Sequence, residues 1–181
     1  MRTLALGGIR SGKSQWAEAA IAAALAPHQP VRYLATGSNA GNSQDDTAWS
    51  QRVHEHRRRR PAHWFTHETV DLTTELRRCA DAPTLVDDIG GWLTATLDRR
   101  DAWRGGSVIG DIDDLVDAVA AFRGPLVLVS PEVGLTVVPA TEAGRRFADE
   151  LGSLNQRLAR RCERVVLVVA GQPVPIKPGN R

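Results

Sequence analysis

The sequence predicts an α/β fold, with a mostly parallel central sheet and helices on both of its faces. Short apolar segments alternate with longer segments of helical pattern. Strands that are buried on both faces of a parallel sheet have this nearly continuous apolar character. The first apolar segment also runs directly into a glycine-rich turn and a helical segment. A length of 181 residues suits one hydrophobic core, so we expect a single catalytic domain over residues 1–181.

Five apolar segments are predicted to form the strands of this sheet. They cover residues 3–6, 31–36, 84–88, 126–130 and 164–170. Helices are predicted over residues 13–25, 72–80, 92–97, 112–122 and 140–160, and from Asp45 or Asp46 to about residue 59. Pro27 and Pro61 end the first two helices, because the residue before a proline disfavours the helical conformation. Residues 37–44 and 99–111 are predicted to be surface segments that contain glycine.

The composition argues against several classes of protein. Apolar residues make up 42% of the chain, charged residues 24%, and the net charge is +2. No overall field therefore marks a nucleic-acid or membrane-surface binder. The apolar run over residues 17–26 is too short to cross a bilayer, and residues 1–8 lack the apolar core of a signal peptide. Cys79 and Cys162 have no metal-ligand spacing. We expect a cytoplasmic protein.

Residues 7–14, GGIRSGKS, contain the pattern G-x-x-x-x-G-K-S of a phosphate-binding loop, or P-loop. Gly7 and Gly12 allow backbone angles that other residues resist, so that successive N–H groups can converge on phosphate oxygens. Lys13 can reach the β- and γ-phosphates, and the Ser14 hydroxyl can ligate Mg²⁺. Only two of the 23 basic residues are lysines, and one lies in this loop. The segment predicts a P-loop NTPase-like sandwich, the alternative being a merely tight strand-to-helix turn.

A second anchor for Mg²⁺ is expected at the end of a neighbouring strand, where the sequence has Asp87 and Asp88. Asp88 could instead cap the helix that follows. The P-loop does not name the reaction, because motors, GTPase switches and small-molecule kinases share it. The sequence has no N-K-x-D motif for reading guanine, which argues against a GTPase switch.

A second informative segment is RVHEHRRRRPAHW, residues 52–64. On a helix, Arg52, His56 and either Arg59 or Arg60 share one face, whereas His54 lies about 200° around the helix from His56. Flanking arginines disfavour the imidazolium form, which keeps the ring neutral and nucleophilic, and they attract nucleotide phosphates. The alternatives are a solvated basic face with an incidental histidine, and nucleic-acid binding through the arginine run.

Five blocks of residues carry a resemblance to a known family. They are Gly7, Gly8, Arg10, Ser11, Gly12, Lys13 and Ser14; Arg52, Val53, His56, Arg60, Pro61, Trp64, Thr66 and Glu68; Asp87 and Trp92; Glu132, Val133, Gly134, Val137, Val138 and Pro139; and Arg145, Phe147, Asp149, Gly152, Asn155 and Gln156. In this order they resemble the bifunctional adenosylcobinamide kinase/adenosylcobinamide-phosphate guanylyltransferases of cobalamin biosynthesis. Pro131 departs from that family, which usually has asparagine there.

The resemblance implies two reactions in one domain. A nucleoside triphosphate, ATP or GTP, phosphorylates the hydroxyl of adenosylcobinamide. GTP then guanylylates the product through a histidine–GMP intermediate, and pyrophosphate leaves. By position this histidine corresponds to His56, with His54 as the fallback, and Lys13 is the other catalytic residue implied. The implied nucleotide-binding residues are Gly7, Gly8, Arg10, Ser11, Gly12, Lys13, Ser14, Arg52, Arg60 and Asp87, with Ser14 and Asp87 as the Mg²⁺ ligands.

The implied partners are a corrinoid substrate and nucleotides, with no nucleic acid and no membrane span, and the family resemblance suggests a homo-oligomer. Another interpretation stays open at this point. A monofunctional P-loop kinase would need the P-loop but would leave His56 without a catalytic role.

Overall fold

The computed structural model describes residues 1–36 and 60–179, which contain one sheet of seven strands. The strands are β1 (Arg2–Gly7), β2 (Arg32–Ala35), β3 (Phe65–Glu68), β4 (Thr84–Asp87), β5 (Leu126–Pro131), β6 (Arg164–Val169) and β7 (Gln172–Lys177). The helices are α1 (Lys13–Ala23), α2 (Leu72–Arg78), α3 (Ile89–Arg99), α4 (Ile109–Ala121) and α5 (Glu142–Arg161). The predicted loop over residues 37–44 and the predicted helix after it lie outside the described residues.

The strands lie in the order β3-β2-β4-β5-β1-β6-β7. Strands β1 to β6 pair in parallel, whereas β7 pairs antiparallel with β6. This arrangement confirms the prediction of a mostly parallel sheet. β5 lies between β1 and β4, so the strand that carries Asp87 is the second neighbour of the strand that leads into the P-loop. The sequence analysis placed this acid on a neighbouring strand, and in the structure one strand separates the two.

Helices cover both faces of the sheet, because alternate side chains along each strand point to opposite faces. On one face, Ala5, Tyr33 and Leu85 pack with Ala17 and Ile21 of α1. On the other face, the alternate strand residues pack with α2, α3, α4 and α5. That second cluster includes Leu4, Leu34, Val86, Leu128, Leu76, Leu93, Leu115 and Leu154. Among the helices described, none is long and apolar enough to cross a membrane.

Two strands have no counterpart in the sequence-based prediction, and both lie at an edge of the sheet. All four residues of β3 are exposed, so this segment lacks the apolar run of a buried strand. β7 contains Pro173 and Pro175, and prolines within a segment argue against a central strand. The two prolines pair opposite Val168 and Val166 on β6. Because they alternate along an edge strand, their missing N–H groups fall on the outer side.

Helix α3 begins at Ile89, three residues before the start predicted from the sequence. Gly90 and Gly91 weaken a helical pattern, but here they provide space. A Cβ atom on Gly90 would lie 2.9 Å from Cγ of Pro131, and one on Gly91 would lie 3.0 Å from Oγ1 of Thr36. The glycines therefore let the start of α3 approach the ends of two strands. The boundaries of the other helices differ from the prediction by at most three residues.

Candidate functional site

The P-loop connects the carboxyl end of β1 to the first turn of α1, as the sequence predicts. Gly12 has a φ angle of +88° and Arg10 one of +58°. The amide of Ser11 donates to the Gly8 carbonyl oxygen at 3.3 Å, and the amide of Lys13 donates to Oγ of Ser11 at 3.3 Å. The left-handed conformation at Gly12 favours glycine and turns the chain into the helix.

Gly7 is required for a different reason from the one expected. It lies in β1 and is not among the described glycines with positive φ, which are Gly12 and Gly171. A Cβ atom on Gly7 would lie 2.4 Å from Oγ of Ser11 and 2.8 Å from the carbonyl oxygen of Val168. Close packing against the loop and against β6, and not an unusual backbone angle, therefore excludes a side chain at this position.

The turn between β6 and β7 packs against the P-loop. Ala170 and Gly171 have φ angles of +51° and +77°, the signature of a two-residue type I′ hairpin turn. The amide of Gly171 donates to the carbonyl oxygen of Ser11 at 2.8 Å. A Cβ atom on Gly12 would lie 3.1 Å from the Cα atom of Gly171. The hairpin thus supports the loop from outside, a contact that the sequence analysis missed along with β7.

The first turn of α1 is arranged to receive an anion. Its N-cap is Gly12, which offers no side-chain hydrogen bond, and its first turn contains no acidic residue. The first N–H groups and the positive end of the helix dipole are therefore directed at the loop. Lys13 and Ser14 are the first two residues of this helix and are partly exposed. This geometry suits a phosphate group.

Asp87 lies across from Ser14 at the end of β4. Oγ of Ser14 donates to Oδ1 of Asp87 at 3.3 Å. Adjacent ligand oxygens of an octahedral Mg²⁺ ion lie roughly 3 Å apart, because Mg–O bonds are about 2.1 Å long. These two hard oxygen donors therefore fit Mg²⁺. The described residues contain no cluster of three or more His, Cys, Asp and Glu side chains that could hold a metal, and few protein ligands are typical of Mg²⁺ bound together with phosphates.

Asp88 caps helix α3, which was the structural alternative left open by the sequence. Its Oδ1 atom accepts a hydrogen bond from the amide of Gly91 at 2.8 Å. Burial and the neighbouring Asp87 carboxylate raise the pKa of Asp88, and the charge of Lys13 opposes that shift. The two adjacent acids thus have different contacts, since Asp87 accepts a hydrogen bond from the P-loop serine and Asp88 accepts one from the first turn of helix α3.

Tyr33 is a site residue that the sequence analysis missed. Its side chain is 1% exposed, and its hydroxyl donates to Oδ2 of Asp87 at 2.5 Å. Burial and the Asp87 carboxylate raise the pKa of Tyr33 above its ordinary value, so the phenol stays protonated. The guanidinium of Arg60 lies over the ring, with Cζ 3.4 Å from its centre. One signal was available, since this is the sole tyrosine of the chain and the apolar residues Leu34 and Ala35 follow it in the strand.

The departure at Pro131 is accommodated by a small polar network. Oγ of Ser130 donates to Oδ1 of Asn155 at 2.6 Å, and Nδ2 of Asn155 donates to the carbonyl oxygen of Pro131 at 2.9 Å. The proline ring packs beside Gly90. β4 ends at Asp87, which pairs with Val129, so β4 provides no ladder partner opposite Pro131. The missing N–H therefore breaks no described pairing with β4.

The structure brings most of the predicted site residues together. Gly7, Gly8, Arg10, Ser11, Gly12, Lys13 and Ser14 form one loop, and Asp87 faces it. Arg60 is connected to Asp87 through the Tyr33 ring. The predictions for Arg52, His54 and His56 lie outside the described residues and stay predictions.

Comparison with known proteins gives a match over nearly the whole chain. Residues 3–176 match the family model described as cobinamide kinase / cobinamide phosphate guanyltransferase. The chain is 44% identical over 181 residues to the bifunctional adenosylcobalamin biosynthesis protein CobP of Pseudomonas aeruginosa, and the match covers 98% of each chain. It is 34% identical over 197 residues to the bifunctional adenosylcobalamin biosynthesis protein CobU of Salmonella typhimurium, covering 98% of this chain and 100% of that protein.

The corresponding CobU protein of Escherichia coli is 33% identical over 197 residues, again covering 98% of this chain and 100% of that protein. Among solved structures, the P4 protein from bacteriophage phi6 in complex with ADP is similar with a TM-score of 0.46 and 15% sequence identity. That match covers 99% of this chain and 55% of the phage protein.

Proposed function

The chain belongs to the cobinamide kinase / cobinamide phosphate guanyltransferase family, and from this premise we propose how its residues divide the two reactions of a bifunctional enzyme of cobalamin biosynthesis. The observation that carries the proposal is the P-loop, in which Ser14 contacts Asp87. This loop lies within a match to a bifunctional relative that extends over 98% of the chain. Those relatives are named as bifunctional at both 44% and 34% identity, which favours this function over a monofunctional kinase.

In the kinase step, the P-loop holds the triphosphate and the γ-phosphoryl group passes directly to a hydroxyl of adenosylcobinamide. The bond from the γ-phosphorus to the β-phosphate oxygen breaks, the nucleoside diphosphate leaves, and the hydroxyl gives up its proton. Amides at the start of α1 bind phosphate oxygens, and Lys13 neutralises charge on the transferring group. Ser14 and Asp87 would hold Mg²⁺, which when bound neutralises charge on the phosphates. Either ATP or GTP can be the donor in this proposal, because the described loop contacts concern the phosphates and not the base.

In the guanylyltransferase step, we assign His56 as the nucleophile. A ring nitrogen attacks the α-phosphorus of GTP, the bond to the β-phosphate oxygen breaks, and pyrophosphate leaves. The phosphate of adenosylcobinamide phosphate then attacks the same phosphorus, the P–N bond breaks, and adenosylcobinamide-GDP forms while His56 is released. The support for this step is the family membership together with the position of His56 in the second sequence block.

Product analysis with adenosylcobinamide and GTP tests the function. Both adenosylcobinamide phosphate and adenosylcobinamide-GDP are expected from the wild-type protein. GTP labelled in the α-phosphate should leave acid-labile, base-stable GMP on the protein. A protein that makes only adenosylcobinamide phosphate and acquires no label would be the monofunctional kinase.

The variant His56→Ala tests the assignment of the nucleophile. It should lose protein labelling and adenosylcobinamide-GDP formation by at least about a thousandfold, yet retain phosphorylation of adenosylcobinamide, because direct phosphoryl transfer needs no protein nucleophile. His54→Ala is the matched control, since it removes a histidine from the other side of the predicted helix and should still be labelled. Wild-type formation of adenosylcobinamide-GDP by His56→Ala would refute the covalent mechanism.

Four further statements belong to this proposal. Residues 1–181 form a single catalytic domain, Mg²⁺ is the metal that accompanies the nucleotide, the enzyme is a homo-oligomer, and it acts in the cytoplasm. Family membership supports these statements, and size measurements in solution test the oligomer.

A further inference from the structure

Asp87 has different hydrogen-bond donors on its two oxygens. Oδ1 receives the Ser14 hydroxyl at 3.3 Å, and Oδ2 receives the Tyr33 hydroxyl at 2.5 Å. The terminal torsion of an aspartate is broad, so a carboxylate with a single donor can turn readily. A hydrogen bond from a hydroxyl to a carboxylate is among the stronger kinds, and here it defines the plane of the carboxylate. Oδ1 is thereby left facing the P-loop serine.

Strand register explains how the tyrosine reaches the acid. On the paired strands β2 and β4, Tyr33 lies opposite Leu85, and Ala35 lies opposite Asp87. Tyr33 and Asp87 therefore share a face of the sheet and are diagonal neighbours. The tyrosine ring packs in the apolar cluster under α1, and only the length of a phenol brings an O–H group to the carboxylate at the end of the next strand.

The tyrosine ring is itself covered by Arg60. Thr66 on β3 lies directly opposite Tyr33 in the strand register. Nη1 of Arg60 donates to Oγ1 of Thr66 at 2.9 Å, and its Cζ atom lies 3.4 Å from the centre of the Tyr33 ring. A cation over an aromatic face is attracted by the ring, more strongly where water is excluded. Arg60 thus connects the second sequence block to the acid beside the P-loop.

We propose that Tyr33 is a positioning residue for the nucleotide site: its phenol orients the Asp87 carboxylate so that Oδ1 and the Ser14 hydroxyl together hold the divalent cation of the bound nucleotide. This inference rests on the proposed function of Ser14 and Asp87. The competing interpretation is that Tyr33 is a core residue. Its hydroxyl would then donate to Asp87 only because a buried hydroxyl needs an acceptor, without any effect on cation binding. The two interpretations differ in the contribution of the hydroxyl to cation binding.

The experiment measures how much Mg²⁺ strengthens ADP binding, by calorimetry with and without Mg²⁺. In Tyr33→Phe, ADP affinity without Mg²⁺ should change by less than about twofold. The factor by which Mg²⁺ strengthens ADP binding should fall about tenfold, which is the effect of losing one hydrogen bond to a charged group. In Asp87→Asn, Mg²⁺ should no longer strengthen ADP binding. The double variant with Tyr33→Phe should therefore bind ADP in the presence of Mg²⁺ as Asp87→Asn does.

A second measurement does not depend on the Tyr33→Phe variant, because it observes Tyr33 in the wild-type protein. Because Tyr33 is the sole tyrosine, incorporation of 3-fluorotyrosine gives one ¹⁹F resonance from this ring. That resonance should move when Mg²⁺ is added to the ADP complex, and the Mg²⁺-dependent movement should disappear in Asp87→Asn.

The outcomes separate this inference from the proposed function. If Mg²⁺ strengthens ADP binding in the wild type and does so equally in Tyr33→Phe, the positioning role is wrong while the site stands. A fluorotyrosine resonance that does not respond to Mg²⁺ would also overturn the positioning role. If Mg²⁺ does not strengthen ADP binding in the wild type, both the inference and the proposed roles of Ser14 and Asp87 fail.

Discussion

Acidic residues at the two ends of the parallel sheet have different hydrogen-bond partners. At the amino end, Glu163 binds Arg2 at 2.5 Å, and Glu75 binds Arg32 at 2.6 Å and Arg78 at 2.8 Å. At the carboxyl end, the described donors to the acids are hydroxyls and amides. Asp87 accepts from Ser14 and Tyr33, and Asp88 accepts from Gly91.

This difference separates stability from ligand binding. Ion pairs at the amino end neutralise charges within the protein, so they act on the free energy of unfolding. At the carboxyl end, the positive end of α1 is directed at the loop that carries Lys13, and Ser14 and Asp87 are the proposed ligands of a cation. Ligands of open α/β sheets bind at the carboxyl ends of the strands. Substitutions at the two ends should therefore change different measured quantities.

The largest effect is expected for Lys13→Ala, at the carboxyl end. Without the ammonium group, charge on the transferring phosphoryl oxygens is no longer neutralised, a contribution of several kcal/mol in such sites. The rate of adenosylcobinamide phosphorylation should fall by at least about a thousandfold, while the melting temperature stays within a few degrees of the wild-type value. Steady-state kinetics and thermal unfolding of the same preparation check this. Normal turnover by the folded variant would show that Lys13 does not have the catalytic role that the P-loop motif predicts.

The adjacent acids give the next largest effect and test their separate roles. Asp87→Asn keeps the shape of the side chain but loses the charge that is proposed to hold the cation, so Mg²⁺-dependent activity should fall at least about tenfold further than in Asp88→Asn. Asparagine is itself a good N-cap, so Asp88→Asn should keep helix α3 and the melting temperature. Titration of the kinase rate with Mg²⁺ distinguishes the two variants. A larger loss in Asp88→Asn would mean that the roles of the two acids are reversed.

At the amino end, Glu163→Gln should lower the free energy of unfolding and leave the reaction rate unchanged. Partial burial acts to raise the pKa of Glu163, but hydrogen bonds from Arg2 outweigh it and lower the pKa to about 2 from an ordinary 4.5. Because a lowered pKa stabilises the fold above pH 4.5, the contribution is lost as the pH falls toward 2. Allowing for solvent screening of a side chain that is 34% exposed, we expect a loss of about 1–2 kcal/mol at pH 7.

Denaturant unfolding as a function of pH checks this expectation, with kcat measured in parallel. The difference between wild type and Glu163→Gln should shrink as the pH falls through this window. Asp81→Asn is the matched control, because the Asp81–Arg123 ion pair is also at the amino end but is exposed on both sides, and such pairs contribute little. A difference in stability that does not change with pH would show that the carboxylate charge is not the cause.

Much of the fold could be predicted because burial on both faces leaves a clear signal. Strands β1, β2, β4, β5 and β6 each contain consecutive apolar residues that are buried, and the P-loop fixes the connection between β1 and α1. The edge strands β3 and β7 escaped prediction, because one is fully exposed and the other contains two prolines. The start of α3 was missed because Gly90 and Gly91 resemble a break in a helix, whereas they make room for Pro131 and Thr36.

The site was predicted where a local motif carries it. Lys13 and Ser14 follow from the motif, the strand end offers both Asp87 and Asp88, and the family resemblance favours Asp87. Tyr33 and Gly171 were missed, because their roles depend on contacts across the sheet that no spacing in the chain reveals. Tyr33 meets Asp87 through the pairing of β2 with β4, and Gly171 meets Ser11 through an unpredicted hairpin.

The rise in melting temperature caused by saturating GTP and Mg²⁺ tests most directly whether the carboxyl end alone binds the nucleotide. Binding to the folded state adds about 2.7 kcal/mol of stability when the ligand is at a hundred times its Kd. Glu163→Gln should start from a lower melting temperature than the wild type and show the same rise. Lys13→Ala should start near the wild-type value and lose most of the rise. A full rise in Lys13→Ala, or a rise lost in Glu163→Gln, would contradict the division between the two ends of the sheet.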